Sequence, residues 1–240
     1  MNSFNFFVPT QIRFGTGRRK ELKDILPFYG KKCLMVSRPL NGSLKETFEE
    51  IISIIRSANI EVSFFDEVIP NPTIDGVEKG VALAVENQVD FVIGIGGGSV
   101  LDTAKLIAFL YNENANINWE EAKSKYDDPF AISLKPEAAL SFIAVSTTSG
   151  TGSQCTQAAV VSDTKTKNKV TFFHSALFPA VAIVDPELML SVPSSVTAAT
   201  GFDAFTHAFE SFLGNRVSPI TEQMSLQAIK LVFQNLPKAS

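Results

Sequence analysis

The run Asp90-Phe-Val-Ile-Gly94-Ile95, followed at once by Gly96-Gly97-Gly98-Ser99 and a helical pattern to about Tyr111, restricts the fold more than any other stretch. A short apolar run of this kind suits a strand buried on both faces of a parallel sheet. Glycines at the hand-over to a helix permit φ > 0 and let a ligand approach the backbone with no Cβ in the way. The first N–H groups of the helix, at its positive dipole end, favour an anion, and Ser99 adds a hydroxyl donor. The pattern is neither Gly-x-Gly-x-x-Gly nor a P-loop, because no Gly-Lys-Ser/Thr follows.

The rest of the first part repeats this alternation. Lys32–Ser37, Glu61–Phe65, Leu140–Val145 and Val181–Val184 read as further strands. Ser43–Ala58 carries a helical stripe of Leu44, Phe48, Ile51, Ile52 and Ile55, and Thr73 is suited to cap a helix running to about Asn87. Strands and helices alternating at this spacing give a parallel sheet with helices on both faces. Residues 112–136 are polar and read as an irregular excursion. Beyond Asp185-Pro186 the character changes: Ser195–Leu213 and Ser218–Leu236 read as helices with no strand between them, and Leu236–Ser240 as a loop after the second. The expected organisation is an α/β domain over 1–185 and the start of an all-helical domain over 186–240.

Composition removes several function classes. The 240 residues allow one or two domains with a large core, and the charged fraction of 19% is ordinary for a compact soluble protein. A net charge of −4, with basic residues scattered apart from Arg18-Arg19-Lys20, provides no stripe to neutralise nucleic-acid phosphates. No apolar run approaches the ~20 residues that span a bilayer. The start, Met1-Asn-Ser-Phe-Asn-Phe-Phe7, lacks the pattern of a signal peptide. Cys33 and Cys155 have no CxxC spacing and read as thiols in a reducing compartment. A cytoplasmic protein is expected.

Two further features carry chemistry. Ser146-Thr147-Thr148-Ser149-Gly150-Thr151-Gly152-Ser153 is a second glycine- and hydroxyl-rich loop after a strand, so two such loops of one sheet could embrace a pyrophosphate. Asp203 and His207 stand four apart in a helical stretch, one turn apart on one face. A carboxylate and an imidazole so placed can share a divalent cation, or simply hydrogen-bond to each other on a helix surface; two ligands do not close a metal site. The other histidine, His174, belongs to no ligand pattern and is expected to be structural or exposed.

Three motifs in order resemble the iron-containing (group III) alcohol dehydrogenases. They are Gly96-Gly-Gly-Ser-Val-Leu-Asp102-Thr-Ala-Lys105, Thr147-Thr-Ser-Gly-Thr-Gly-Ser153, and Ala182-Ile-Val-Asp-Pro-Glu-Leu188 through Gly201-Phe-Asp-Ala-Phe-Thr-His-Ala-Phe-Glu210. Phe7–Gly17 and Asn71-Pro-Thr73 also look like that family. The resemblance implies a Rossmann-like α/β domain followed by a helical domain, a dehydroquinate synthase-like architecture, with a divalent metal between them. It implies hydride transfer between an alcohol or aldehyde and NAD or NADP. Gly96, Gly97, Gly98 and Ser99 would hold the pyrophosphate, Thr147 and Thr148 would line the cofactor pocket, and Asp102 would lie near the nicotinamide. Lys169 would contact the cofactor, although it matches more loosely and also reads as an ordinary loop lysine; Asp102 also reads as a partner of Lys105 one turn away. Asp203 and His207 would be the first two ligands of Fe2+, or of Zn2+ in a glycerol-type polyol dehydrogenase.

The sequence departs from the family in places. The family continues through a helical domain that supplies two further histidine ligands, so the chain is expected to be truncated there. An active dehydrogenase represented by part of its chain and a non-catalytic nucleotide-binding remnant are both open readings. Ser146 and Gln154 replace a more usual proline and glutamate, with no consequence drawn. Arg38 follows the strand ending at Ser37, where many NAD-using relatives carry an aspartate; an arginine there pairs with a 2′-phosphate, which favours NADP. A homodimer is also among the expectations.

Overall fold

Side chains of the central strand alternate between two cores with the period of two that a pleated strand imposes. The computed structural model describes residues 3–41, 44–113, 117–131 and 139–240. In chain order its elements are β1 (Gln11–Phe14), α1 (Leu22–Ile25), β2 (Lys32–Val36), α2 (Lys45–Ser57), β3 (Glu61–Phe65), α3 (Ile74–Glu86), β4 (Phe91–Gly96) and α4 (Gly98–Leu110). Then follow α5 (Trp119–Lys125), β5 (Ser141–Ser146), β6 (Ala158–Asp163), β7 (Asn168–Phe173), β8 (Val181–Val184), α6 (Ser194–Leu213) and α7 (Pro219–Ala239).

Six strands form one parallel sheet in the order β1-β8-β5-β4-β2-β3. Leu34, Val36, Val92 and Ala144 pack with α3 and α4 on one face, and Cys33, Met35, Ile93, Ile95 and Val145 with α1 and α2 on the other. The chain thus leaves β2 towards one face and β4 towards the other, although these strands are neighbours. That is a topological switch point, outside whose carboxyl strand ends open α/β sheets bind ligands. Register aligns those ends: Gly96 pairs with Ser146, and Ser146 with Val184. Both glycine-rich turns therefore leave the sheet side by side.

β6 and β7 form a separate antiparallel hairpin over α4. With the sheet beneath and this hairpin above, α4 is buried from Val100 to Leu110 except at Asp102, as expected of a helix apolar nearly all round. Asp163 fixes the hairpin turn by accepting from the N–H groups of Lys165 and Thr166. At the end of β8 the fully buried Asp185 accepts from Arg19 Nη1 at 2.9 Å, and the same guanidinium reaches Glu187 and Glu50. This network joins the segment after β1, α2 and the start of the helical part.

The structure corrects several sequence expectations. β1, β6 and β7 were not anticipated: β1 is a four-residue edge strand, and the hairpin lies in what reads as loop. The polar excursion holds α5, capped by Asn118. α4 begins at Gly98, and α7 runs through Ala239 with Pro237 in its last turn, where the expectation was a loop from Leu236. Thr73 does cap α3, accepting from Gly76 N at 3.2 Å. The expected helix start at Ser43 and parts of the excursion (114–116 and 132–138) fall outside the described residues. Cys33 and Cys155 are free thiols. Among the described residues no helix is long and apolar enough to cross a membrane.

Candidate functional site

A cleft of about 400 Å³ opens between the start of α4, the β6–β7 hairpin and α6. Of the residues singled out from sequence, Gly98, Ser99, Asp102, Lys169, Asp203 and His207 line it together. Arg38, Gly96, Gly97, Thr147 and Thr148 are not among its lining residues.

The left-handed backbone that the glycines of the first turn permit is not used there. None of Gly94, Gly96, Gly97 and Gly98 has a positive φ. They are required by close approach instead. A Cβ on Gly97 would sit 2.7 Å from Thr148 Oγ1, and one on Gly98 2.6 Å from Thr151 Cγ2. The second loop is seated directly against the first, and its Gly150 and Gly152 are the residues in left-handed conformation, with φ 101° and 64°. Among the described residues no side chain caps the start of α4, whose N-cap is Gly97. Thr147 is buried and donates its N–H to Gly96 O at 3.1 Å, bracing one turn on the other.

The second loop also touches α6. Ser149 Oγ lies 2.9 Å from Thr200 Oγ1, and a Cβ on Gly150 would meet Thr200 O at 2.8 Å and Asp203 Oδ2 at 2.9 Å. On α6, Asp203 Oδ1 and His207 Nε2 are 3.6 Å apart and face the cleft. Two donors each about 2.1 Å from one ion have such a separation, so the pair fits a divalent cation. Among the described residues no further His, Cys, Asp or Glu joins them to make a group of three.

Asp102 is held by contacts other than the expected partnership with Lys105. Its Oδ1 accepts from Ser153 Oγ at 2.6 Å and its Oδ2 from Val160 N at 3.1 Å. Burial pushes this carboxyl above its ordinary value, against the Lys105 charge and these hydrogen bonds. Lys169 is exposed on β7, opposite Ser162, rather than in a loop. Arg38 is exposed just beyond β2, at the switch point, and its carbonyl accepts from Ser37 Oγ. His174 is buried: its Nδ1 accepts from Ala176 N at 3.0 Å, and the ring packs on Phe109 and Tyr126.

Sequence reasoning passed over Asn71, Thr156 and Ser162 as lining residues. Asn71 has a φ of 57°, strained for a side-chain-bearing residue, and precedes Pro72, whose carbonyl accepts from Ser162 N at 2.7 Å. Alternation of buried residues along 158–173 around a polar turn was the available signal for the hairpin that carries Ser162 and Lys169.

An open sheet with two braced, hydroxyl-rich turns near its switch point defines a Rossmann-like α/β protein. The chain belongs to the iron-containing alcohol dehydrogenase family: residues 9–186 match "Iron-containing alcohol dehydrogenase" and residues 197–240 match "Fe-containing alcohol dehydrogenase family, C-terminal". It is 36% identical over 236 residues to an NAD-dependent methanol dehydrogenase of Bacillus methanolicus, covering 98% of this chain and 59% of that one. It is 34% identical over 238 residues to an NADPH-dependent butanol dehydrogenase of Clostridium saccharobutylicum, covering 98% and 58%. Its fold superposes on the NADH-dependent butanol dehydrogenase A of Thermotoga maritima with a TM-score of 0.87 at 28% identity, covering 99% of this chain and 58% of that one. On the sulfoacetaldehyde reductase of Bifidobacterium kashiwanohense in complex with NAD+ the TM-score is 0.86 at 33% identity, covering 100% and 61%. The chain therefore spans about three fifths of the length of the relatives it matches.

Proposed function

We propose that this chain forms the nucleotide-binding part, residues 1–185, and the first part of the helical metal-binding domain, residues 186–240, of an NAD(P)-linked, metal-dependent alcohol dehydrogenase or aldehyde reductase. The observation that carries this reading is the convergence on one cleft of an uncapped helix start, Asp102, and the paired donors of Asp203 and His207. Family membership and the names of the relatives support it.

The N–H groups at Gly98 and Ser99 bind the pyrophosphate, with the turn shaped by Gly96 and Gly97. Thr147 and Thr148 brace that turn from the second loop. Lys169 adds a positive charge at the cleft wall. Asp203 and His207 hold Fe2+, or Zn2+ as the alternative. When bound, the metal polarises an alcohol or carbonyl oxygen as a Lewis acid, and the dinucleotide accepts or donates the hydride. The hairpin and α6 flank the end of the cleft where Asp203 and His207 stand.

Two donors do not complete a four-coordinate site. Binding without turnover is thus expected of these 240 residues alone, and robust alcohol oxidation by them would contradict the account. Isothermal titration with NADH, NADPH, Fe2+ and Zn2+ tests the rest. Asp203→Ala abolishes metal binding and spares dinucleotide binding; equal loss of both refutes the assignment. Arg38, exposed beyond β2, supports a preference for NADPH, and an unchanged NADPH/NADH affinity ratio in Arg38→Asp removes that support. The edge strand β1, with Ile12 and Phe14 exposed, supports a homodimer, which light scattering measures.

A further inference from the structure

Asp102 and Lys105 stand three apart on α4, and both side chains reach up into residues 153–160, which form one wall of the cleft. Lys105 is only 1% exposed. Its Nζ donates to Thr156 O at 3.0 Å, Thr156 Oγ1 at 3.1 Å and Ala158 O at 2.7 Å. An ammonium has three protons, and all three are committed to this segment. Asp102 takes the remaining anchors, Ser153 Oγ and Val160 N. The segment between the turn at Ser153–Cys155 and the start of β6 is thus held from below by two oppositely charged side chains.

We propose that Lys105 is a positioning residue: it sets the Thr156–Ala158 wall of the cleft and touches neither dinucleotide nor metal. The effect on dinucleotide binding rests on the proposed function above; the hold on the wall does not. An apolar residue of similar length at position 105 removes the ammonium donor from two carbonyls and a hydroxyl of a half-buried segment and leaves Ala158 O only the long 3.5 Å contact from Thr156 Oγ1, so the wall loosens rather than merely losing a charge. The groups facing Lys105 are Asp102 on its own helix and the Cys155 thiol from the turn above. Burial pulls the ammonium down to about 8, with Asp102 and Cys155 working the other way. Above that pH the amine keeps two protons for three acceptors, so the wall loses one anchor.

The test uses the whole chain, with Lys105→Met and the milder Thr156→Val, which removes one hydroxyl that accepts from Lys105 and makes a long contact to Ala158 O, and which serves should Lys105→Met fail to fold. Hydrogen exchange reads the wall, and NADH fluorescence titration from pH 7 to 9.5 reads the site. Lys105→Met is expected to speed exchange across 153–160 and weaken NADH, each by about ten-fold, and Thr156→Val by about three-fold. The unsubstituted chain loses affinity through pH 8, whereas the profile of Lys105→Met is flat. Weaker NADH binding with unchanged exchange at 153–160 means that Lys105 touches the dinucleotide, and it overturns the inference. So does a Lys105→Met pH profile that matches the unsubstituted one. If the unsubstituted chain binds no NADH while Lys105→Met still speeds exchange in the wall, the nucleotide-binding reading falls and the positioning role stands.

Discussion

Replacing Gly98 by alanine separates a stability role of the glycine turn from a binding role. Gly98 is the first residue of α4 and its φ lies outside the left-handed region, so alanine meets no backbone strain there. In a helix interior the exchange gains about 1 kcal/mol, and less at the first position. Against this, the new Cβ lies 2.6 Å from Thr151 Cγ2, 3.0 Å from its Oγ1 and 3.1 Å from its Cβ. Carbon atoms settle at about 3.5–4.0 Å, so Thr151 must retreat by roughly 1 Å. Overpacking in a rigid core costs about 1–3 kcal/mol. Thr151 is exposed, however, so the loop yields and the cost lies near the lower end. The two effects nearly cancel, and the melting temperature is expected to move by no more than about 4 °C. Binding has no such compensation. The loop is tied to the cleft by Ser153, whose N–H donates to Thr151 Oγ1 and whose Oγ donates to Asp102, so a retreat of Thr151 displaces both. NADH affinity is expected to fall by about ten-fold, which is roughly 1.4 kcal/mol. Adding Thr151→Ser removes the 2.6 Å contact but keeps the hydroxyl on Ser153 N, and it should recover part of the loss. Unchanged NADH affinity in Gly98→Ala, or no recovery in the double variant, refutes the view that close approach of the two loops is what the glycine serves.

Gly80→Ala is expected to behave in the opposite way, lowering the melting temperature clearly. Its Cβ would lie 2.2 Å from Cδ1 of the fully buried Ile107, where overpacking of about 1–3 kcal/mol outweighs the helix-propensity gain, and Ile107→Val should restore part of it. The Arg19–Asp185 network sets an acid limit. Burial alone would raise the Asp185 carboxyl, yet the Arg19 guanidinium and backbone N–H groups hold it below the ordinary range. A carboxyl lower in the folded than in the unfolded state contributes stability above the unfolded value of about 3.9 and loses it as pH falls through the folded one. The urea midpoint of the unsubstituted chain should therefore drop more steeply below pH 4 than that of Arg19→Met, and equal slopes would argue against the network's role.

What the sequence revealed and what it hid follow from the range of the interactions involved. The strand–helix alternation from Lys32 to Val145 was legible because β2, β4 and β5 are buried on both faces and read as unbroken apolar runs, while Thr73 caps its helix with its own side chain. The hairpin β6–β7 was not, because its half-buried alternation of Ala159, Val161 and Phe172 matters only once α4 lies beneath it. The same dependence governs the site. That Asp203 and His207 stand one turn apart on one helix was legible from their spacing, which is local. The close approach of Thr148 and Thr151 to the glycines at 97 and 98 is hidden because it comes from fifty residues away, and no local conformational rule contains it. Lys105 is the clearest instance. In sequence it is a basic residue one turn from an acid, and an ion pair is the simplest reading. In the fold it is the most deeply buried cation near the cleft, and its partners are backbone and hydroxyl oxygens across a long connection. A buried charge is retained at a cost unless its donors are fully used. Here every proton is used on the wall of the cleft that Gly98, Ser99, Asp102, Lys169, Asp203 and His207 line, so the cost of burying Lys105 is tied to the shape of that wall rather than to the stability of the core.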